Sequence, residues 1–231
     1  MNTILEAPFE LNQEKLRSQL AIKPGSPFEK SLEDLLNQVE EVANPKAIFR
    51  VSYIEARKNN SVTIEDKTFQ SAAMSTNMAN INRVFPYIAT CGIEVDEIAL
   101  SEEDVLQPYW LNSIKLMLLE ASLDHLRLTL QNRFLLDNLS AMNPGSGEAS
   151  VWPIEQQQTL FSLFGGRRSV EKEIGVRLLQ SFLMIPEMSV SGILFPSETS
   201  YNNCQLCQRE DCPGRRAHFD PNLWESVQGN L

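Results

Sequence analysis

The run from about Gln107 to about Phe134 limits the fold most. Its apolar positions include Leu111, Ile114, Leu118, Ala121 and Leu128, near a 3.6-residue period. A helix of that length is well above the mean of about 11–12 residues, so it is expected to be a central packing element. The other segments surround it without regular strand–helix–strand alternation. FEKSLEDLLNQVEEV (Phe28 to Val42) puts Leu32, Leu35, Leu36, Val39 and Val42 at helical spacing, with Pro24, Gly25 and Ser26 before it and Pro45 after it. AIFRVSYI (Ala47 to Ile54) and the later SVTIED are rich in β-branched and aromatic residues, and together they predict a hairpin. VFPYIATCG (Val84 to Gly92) predicts a buried strand ending in a turn at Gly92. MNPGSGEASVWP predicts a loop, after which Pro153 suits the first turn of a helix that runs to Gly165 and Gly166. EKEIGVRLLQSFLMIP and MSVSGILFP predict a helix end, a strand, a turn and a second strand, with Pro186 between the strands. Such an order favours an α+β fold with an antiparallel sheet over a doubly wound one.

With 231 residues, the chain is long enough to bury a sizeable core. Its formal net charge of −10 argues against general nucleic-acid binding, which needs clustered Lys and Arg, and against docking on anionic lipid. The N-terminal MNTILEAPFELNQEK has neither a basic n-region nor an apolar h-region, and no apolar run is long enough to span a bilayer. The expected compartment is therefore the cytoplasm, where cysteines serve as ligands or free thiols more often than as a disulfide framework. No GxGxxG, Walker or GxSxG motif is present. Two histidines, His125 and His218, are too few for a three-His catalytic zinc site within one chain, and no catalytic residue is assigned.

Three of the four cysteines fall in CQLCQREDCPGRR, where Cys204, Cys207 and Cys212 make the pattern C-x2-C-x4-C. A CxxC step lets two thiolates grip one metal from a single turn, and a third thiolate nearby closes another face. His218 or Cys91 would supply a fourth zinc ligand. Iron–sulfur clusters also use closely spaced thiolates, commonly followed by proline, and here Pro213 follows Cys212. The spacing does not choose between zinc and iron–sulfur. Arg209, Arg215 and Arg216 stand close enough in sequence to stabilise thiolates electrostatically.

Several stretches, in order, resemble the activation domain of vitamin B12-dependent methionine synthase and stand-alone proteins related to it. LNSIKLMLLEASLDHL is similar to that family's long helix, YIATCG to its A-T-x-G strand, and NPGSGEASVWPIEQQQTLFSLFG to its P-G-Y loop and following helix. EIGVRLLQSFLMIPEMSVSGILFP is similar to its final pair of segments, with an S-V-S-G strand. The resemblance covers roughly residues 70–220. It implies a long twisted antiparallel sheet with flanking helices. It divides the chain into an N-terminal part (1–69) belonging to the same domain, an activation-domain-like core (70–200) and a Cys-rich metal-binding tail (201–231).

Functionally, the resemblance implies binding of S-adenosylmethionine and docking on a corrinoid protein whose inactive cob(II)alamin is reduced and remethylated, with the electron coming from a flavodoxin or similar donor. Carried over residue by residue, the cofactor positions are Glu120 on the long helix, Pro144 and Gly145 in the loop, and Tyr201 after the S-V-S-G strand. Two departures stand out. The family loop R-x-x-P-G-Y is here Ala141 to Ser146, without its Arg or Tyr, and the T-E step is Leu179-Gln180. Loss of the Arg removes the charge-assisted pair that would hold the ligand's carboxylate and counts against adenosylmethionine binding. Stand-alone relatives with a C-x2-C-x4-C-P tail resemble accessories of corrinoid methyltransferase systems, in which a metal–thiolate centre would relay electrons. Three readings follow. The first is an accessory of a cobalamin-dependent methyltransferase, docking on its corrinoid protein. The second is an adenosylmethionine-binding activation enzyme, and the third is a metal-clipped interaction protein without catalysis.

Overall fold

The computed structural model describes residues 1–23, 25–100, 104–148, 151–198, 201–212 and 215–229. The expected roles of Pro24 and Pro213 lie outside them. The chain opens with strand β1 (Thr3–Glu6) and helices α1 (Gln13–Gln19) and α2 (Glu29–Val42). Four strands follow: β2 (Lys46–Phe49), β3 (Ser52–Lys58), β4 (Ser61–Ile64) and β5 (Lys67–Gln70). Helix α3 (Ala72–Asn77) leads to β6 (Arg83–Thr90), the long helix α4 (Gln107–Phe134) and β7 (Leu139–Met142). Next come α5 (Gln157–Ser162), α6 (Arg167–Ile174), the short strands β8 (Arg177–Leu178) and β9 (Met184–Ile185), β10 (Ser189–Pro196) and α7 (Pro221–Gln228).

Strand β6 is the hub of one antiparallel sheet that has eight strands among the described residues. Along one edge it pairs with β10, from Ser189 opposite Thr90 to Leu194 opposite Phe85. Along the other edge it pairs first with β2 and then with β3. Strand β1 extends the sheet beyond β2, β4 and β5 extend it beyond β3, and β7 lies outside β10. The fold is α+β, an antiparallel sheet with flanking helices, and residues 1–69 contribute strands to the same sheet as residues 83–196.

Side chains alternate across this sheet because successive residues of a strand point to opposite faces. On β6, Val84 and Ile88 enter one core, and Phe85, Tyr87 and Ala89 enter the other. Burial on both faces explains why the strand reads as a continuous apolar run. The second core is closed by α2, through Leu32, Leu35, Leu36 and Val39, and by α4. The first core holds Phe69, Trp152, Phe161 and Phe195, and it also takes Leu206 and Val227 from the tail. The tail is thus anchored in the interior at two points.

Three local expectations change. The strand expected over Ala47 to Ile54 breaks after Phe49. Opposite the break stands Pro86 of β6, which has no N–H to donate; its carbonyl accepts from Arg50 N at 3.2 Å, and the chain bends there. The segment VRLLQSFLMI folds back on itself as β8 and β9, closed by Leu179 N donating to the Leu183 carbonyl at 2.9 Å. On α4, the buried stripe runs Leu118, Ser122, Leu126, Leu130, and Leu128 is 56% exposed. Ten residues from Leu118 is about 80° off that stripe at 100° per residue.

Candidate functional site

Strand β10 has eight residues and its outer partner β7 only four. Pairing with β7 covers Ile193 to Pro196, so the edge of β10 from Ser189 to Ser191 lies beyond the end of β7. The chain leaving β7 fills part of this gap. Asn143 donates from Nδ2 to the Ser191 carbonyl at 2.9 Å and to the Tyr87 hydroxyl at 2.7 Å. Gly192 makes this crossing possible, because a Cβ there would stand closer than 3.0 Å to both Asn143 Nδ2 and the Met142 carbonyl oxygen. Pro144 and Gly145 then turn the chain. Gly145 has φ +73°, a conformation that favours glycine, and its N–H bonds the Trp152 carbonyl at 2.8 Å.

Beside this edge opens a cleft of about 940 Å³, within the size range of small-molecule sites. One wall is α4, through Leu119, Leu123 and Arg127; another is the chain from Phe182 to Ser191. The Pro144–Gly145 turn forms the third wall and the tail forms the fourth, through Tyr201 to Cys204 and Arg216. The lining carries two guanidiniums, Arg127 and Arg216, and one carboxylate, Glu187. Arg127 donates to the Leu139 carbonyl at 3.0 Å, and among the described residues neither arginine forms an ion pair with a carboxylate.

The cleft also holds buried groups that lack partners. Gln157 is 3% exposed; its Nε2 donates to Ser191 Oγ at 3.0 Å, and its Oε1 has no partner among the described residues. Asn203 is 5% exposed; its Nδ2 reaches the Asn143 carbonyl at 3.4 Å, and its Oδ1 is likewise without a partner. A buried acceptor left unpaired costs about 1–3 kcal/mol, which a ligand N–H or O–H would recover. Burial raises the phenol pKa of Tyr87, opposed by the Asn143 hydrogen bond and by the charges of Arg127 and Arg216. The Tyr201 phenol is also raised, again mainly by burial.

The tail around the thiols is organised by Arg215. Its guanidinium donates to the carbonyls of Cys204 at 3.3 Å, Cys207 at 3.1 Å and Ala217 at 3.0 Å, and to that of Arg209. A short helical turn, Asn203–Leu206, is capped by Asn202 and Gln205, each bonding the other's end of the turn. The Cys204 thiol accepts from Arg216 N at 3.4 Å.

Of the residues singled out from sequence, Pro144, Gly145, Tyr201 and Cys204 come together in the cleft wall. Glu120 is not among the lining residues; it is exposed on α4, 4.0 Å from Lys15 of α1. Cys204, Cys207 and Cys212 are free, partly exposed thiols and His218 is exposed. No three His, Cys, Asp or Glu side chains among the described residues converge as ligands for one metal. Cys91 is buried in the helix-side core, where desolvation and then Asp96 push its thiol pKa up to about 12. Leu206, which lies between Cys204 and Cys207 in the tail, packs in the other core. Arg216 was marked from sequence only as a cation near the thiols; Tyr87, Asn143 and Gln157 lie within the resembling stretches without being singled out as site residues, and Arg127 lies in none of them. No described helix is long and apolar enough to cross a membrane.

No family profile and no curated protein sequence matches the chain. Among solved structures, it is similar to a crystal structure of the MetH reactivation domain bound to AdoHcy. The TM-score is 0.58 at 17% identity, over 100% of this chain and 90% of that one. The chain therefore has the fold of that reactivation domain.

Proposed function

We propose that this protein serves a cobalamin-dependent methyltransferase, docking on the corrinoid-bearing partner and assisting the return of its cobalamin to the active state. The observation that carries the reading is similarity of fold over the whole chain to the MetH reactivation domain. It is supported by the meeting, at one cleft, of the Pro144–Gly145 turn, the S-V-S-G strand and Tyr201. In reactivation of this kind, an electron donor reduces the cobalamin and the methyl group of adenosylmethionine is transferred to it, leaving AdoHcy. Holding both reactants together is the protein's main contribution, since proximity replaces a second-order encounter. Calorimetric titration of the full chain with corrinoid proteins of the same organism, in the cob(II) and methylated states, tests docking. Binding in at least one state is expected, and no binding in either overturns the reading.

A second reading, that the cleft takes an adenosyl sulfur amino acid, is favoured by two guanidiniums without a carboxylate partner, and two buried acceptors without a donor, among the described residues. The MetH domain is bound to AdoHcy in its crystal structure. Binding tighter than about 100 μM, roughly −5.5 kcal/mol, would support it.

The cysteine spacing extends the proposal to a thiolate-bound metal in the tail. The described thiols do not converge and Arg215 holds their backbone, so no step is assigned to a metal. Metal analysis after anaerobic purification decides: iron with acid-labile sulfide supports an electron relay, stoichiometric zinc supports a clip, and neither overturns the metal reading.

A further inference from the structure

We propose that Arg127 of α4 and Arg216 of the cysteine-bearing tail together form the carboxylate anchor of the cleft, making the tail a wall of the ligand site. This rests on the reading of the cleft as a site for an adenosyl sulfur amino acid. The geometry begins at β7. Residues 139 and 141 share one face of that strand, because side chains alternate. Leu139 and Ala141 both face the helix-side core and line the cleft. Arg127, on α4, bonds the carbonyl of Leu139, the first residue of β7, at 3.0 Å and lines the same cleft. A guanidinium thus stands beside the strand whose Leu139 and Ala141 line the cleft.

Arg216 approaches from the opposite wall. It is exposed, its guanidinium makes no hydrogen bond among the described residues, and its backbone is tied to the Cys204 thiol at 3.4 Å. Neighbouring Arg215, with its four carbonyl bonds, fixes the segment that presents it. Both cations act on Tyr87, so both lie near the uncovered edge of β10. In a chain of net charge −10, a cleft lined by two guanidiniums that have no carboxylate partner among the described residues, against the single carboxylate of Glu187, favours an anionic group. Arginine suits a carboxylate in particular, because its fork of donors matches the two oxygens. The tail also brings Asn203 Oδ1, buried and unpaired, as an acceptor for an N–H of the same ligand.

The test is calorimetry with two probes on the full chain: AdoHcy, and 5′-methylthioadenosine, which keeps the nucleoside and thioether but lacks the amino acid. Wild type is expected to bind AdoHcy the more tightly. Arg127→Met and Arg216→Met should each weaken AdoHcy by about tenfold to a hundredfold, about 1.4 to 2.7 kcal/mol. Both should leave 5′-methylthioadenosine unchanged, and Arg216→Lys should recover part of the loss. Because Arg127 also bonds β7, the Arg216 variants keep the test sound if Arg127→Met folds poorly. AdoHcy binding that survives both substitutions overturns the anchor and leaves the ligand reading standing. Equal loss of both probes assigns the arginines a structural role and also overturns it. If wild type binds neither probe, the ligand reading falls with the anchor, while the corrinoid reading remains to be judged by partner binding.

Discussion

Substituting Gly192 by alanine should damage the site from beneath without changing the identity of any lining residue. The added Cβ would lie closer than 3.0 Å to the Met142 carbonyl oxygen and to Asn143 Nδ2, and 3.1 Å from Tyr87 Cε1. The carbonyl belongs to backbone paired with Ile193 and cannot swing aside. Overpacking of this sort costs about 1–3 kcal/mol. Displacing Asn143 would also break its bonds to Ser191 and Tyr87, each worth about 0.5–1.5 kcal/mol. The total is about 2–6 kcal/mol, and for a chain of this size each kcal/mol lowers Tm by roughly 2–4 °C. Urea unfolding followed by circular dichroism gives the stability loss. Asn143→Ala alone should lose only the hydrogen-bond share. In the double variant the two losses should add to less than their sum, because removing the amide relieves part of the clash. If Gly192→Ala lies within about 0.5 kcal/mol of wild type, the close crossing of Asn143 over β10 is wrong.

The other predictions address the tail, the core and pH. Arg215→Ala should free the segment beyond Tyr201 for limited proteolysis, since four carbonyls lose the donor that ties them together; a tail as protected as in wild type would contradict its organising role. Leu206→Ala, at a fully buried side chain, should cost about 2–5 kcal/mol, read by urea unfolding; a negligible loss would mean the tail is not part of the core. The Cys91 thiol, raised from its ordinary value near 9 to about 12, favours the folded state while protonated. That contribution is complete below the unfolded pKa and is lost as pH rises from about 9 to 12, by at most about 1.4 kcal/mol per unit. Cys91→Ala should flatten this part of the stability–pH profile, and an unchanged slope would refute the burial argument.

What the sequence disclosed follows from where the determining forces lie. Helices α2 and α4 are legible because their apolar stripes repeat locally, and β6 because burial on both faces writes itself as an unbroken apolar run. The break after Phe49 is not legible, since it is imposed by Pro86 of a strand far along the chain. In the site, Pro144, Gly145 and Tyr201 belong to local motifs. Arg127 belongs to none, and it matters only through where α4 crosses β7. Glu120 illustrates the difference: it is turned about 100° around α4 from its neighbour Leu119, which lines the cleft at that level, and so faces Lys15 instead. The unpaired amide oxygens of Gln157 and Asn203 are purely tertiary facts.

The proposed role is tested by the recovery of an inactive corrinoid partner. Under anaerobic conditions, a corrinoid protein held in the cob(II) state would be mixed with an electron donor and adenosylmethionine, and its visible spectrum followed with and without this protein. Faster conversion to the methylated form is expected when the protein is present. Conversion at the same rate with and without it, over a range of concentrations that saturates docking, would contradict that role.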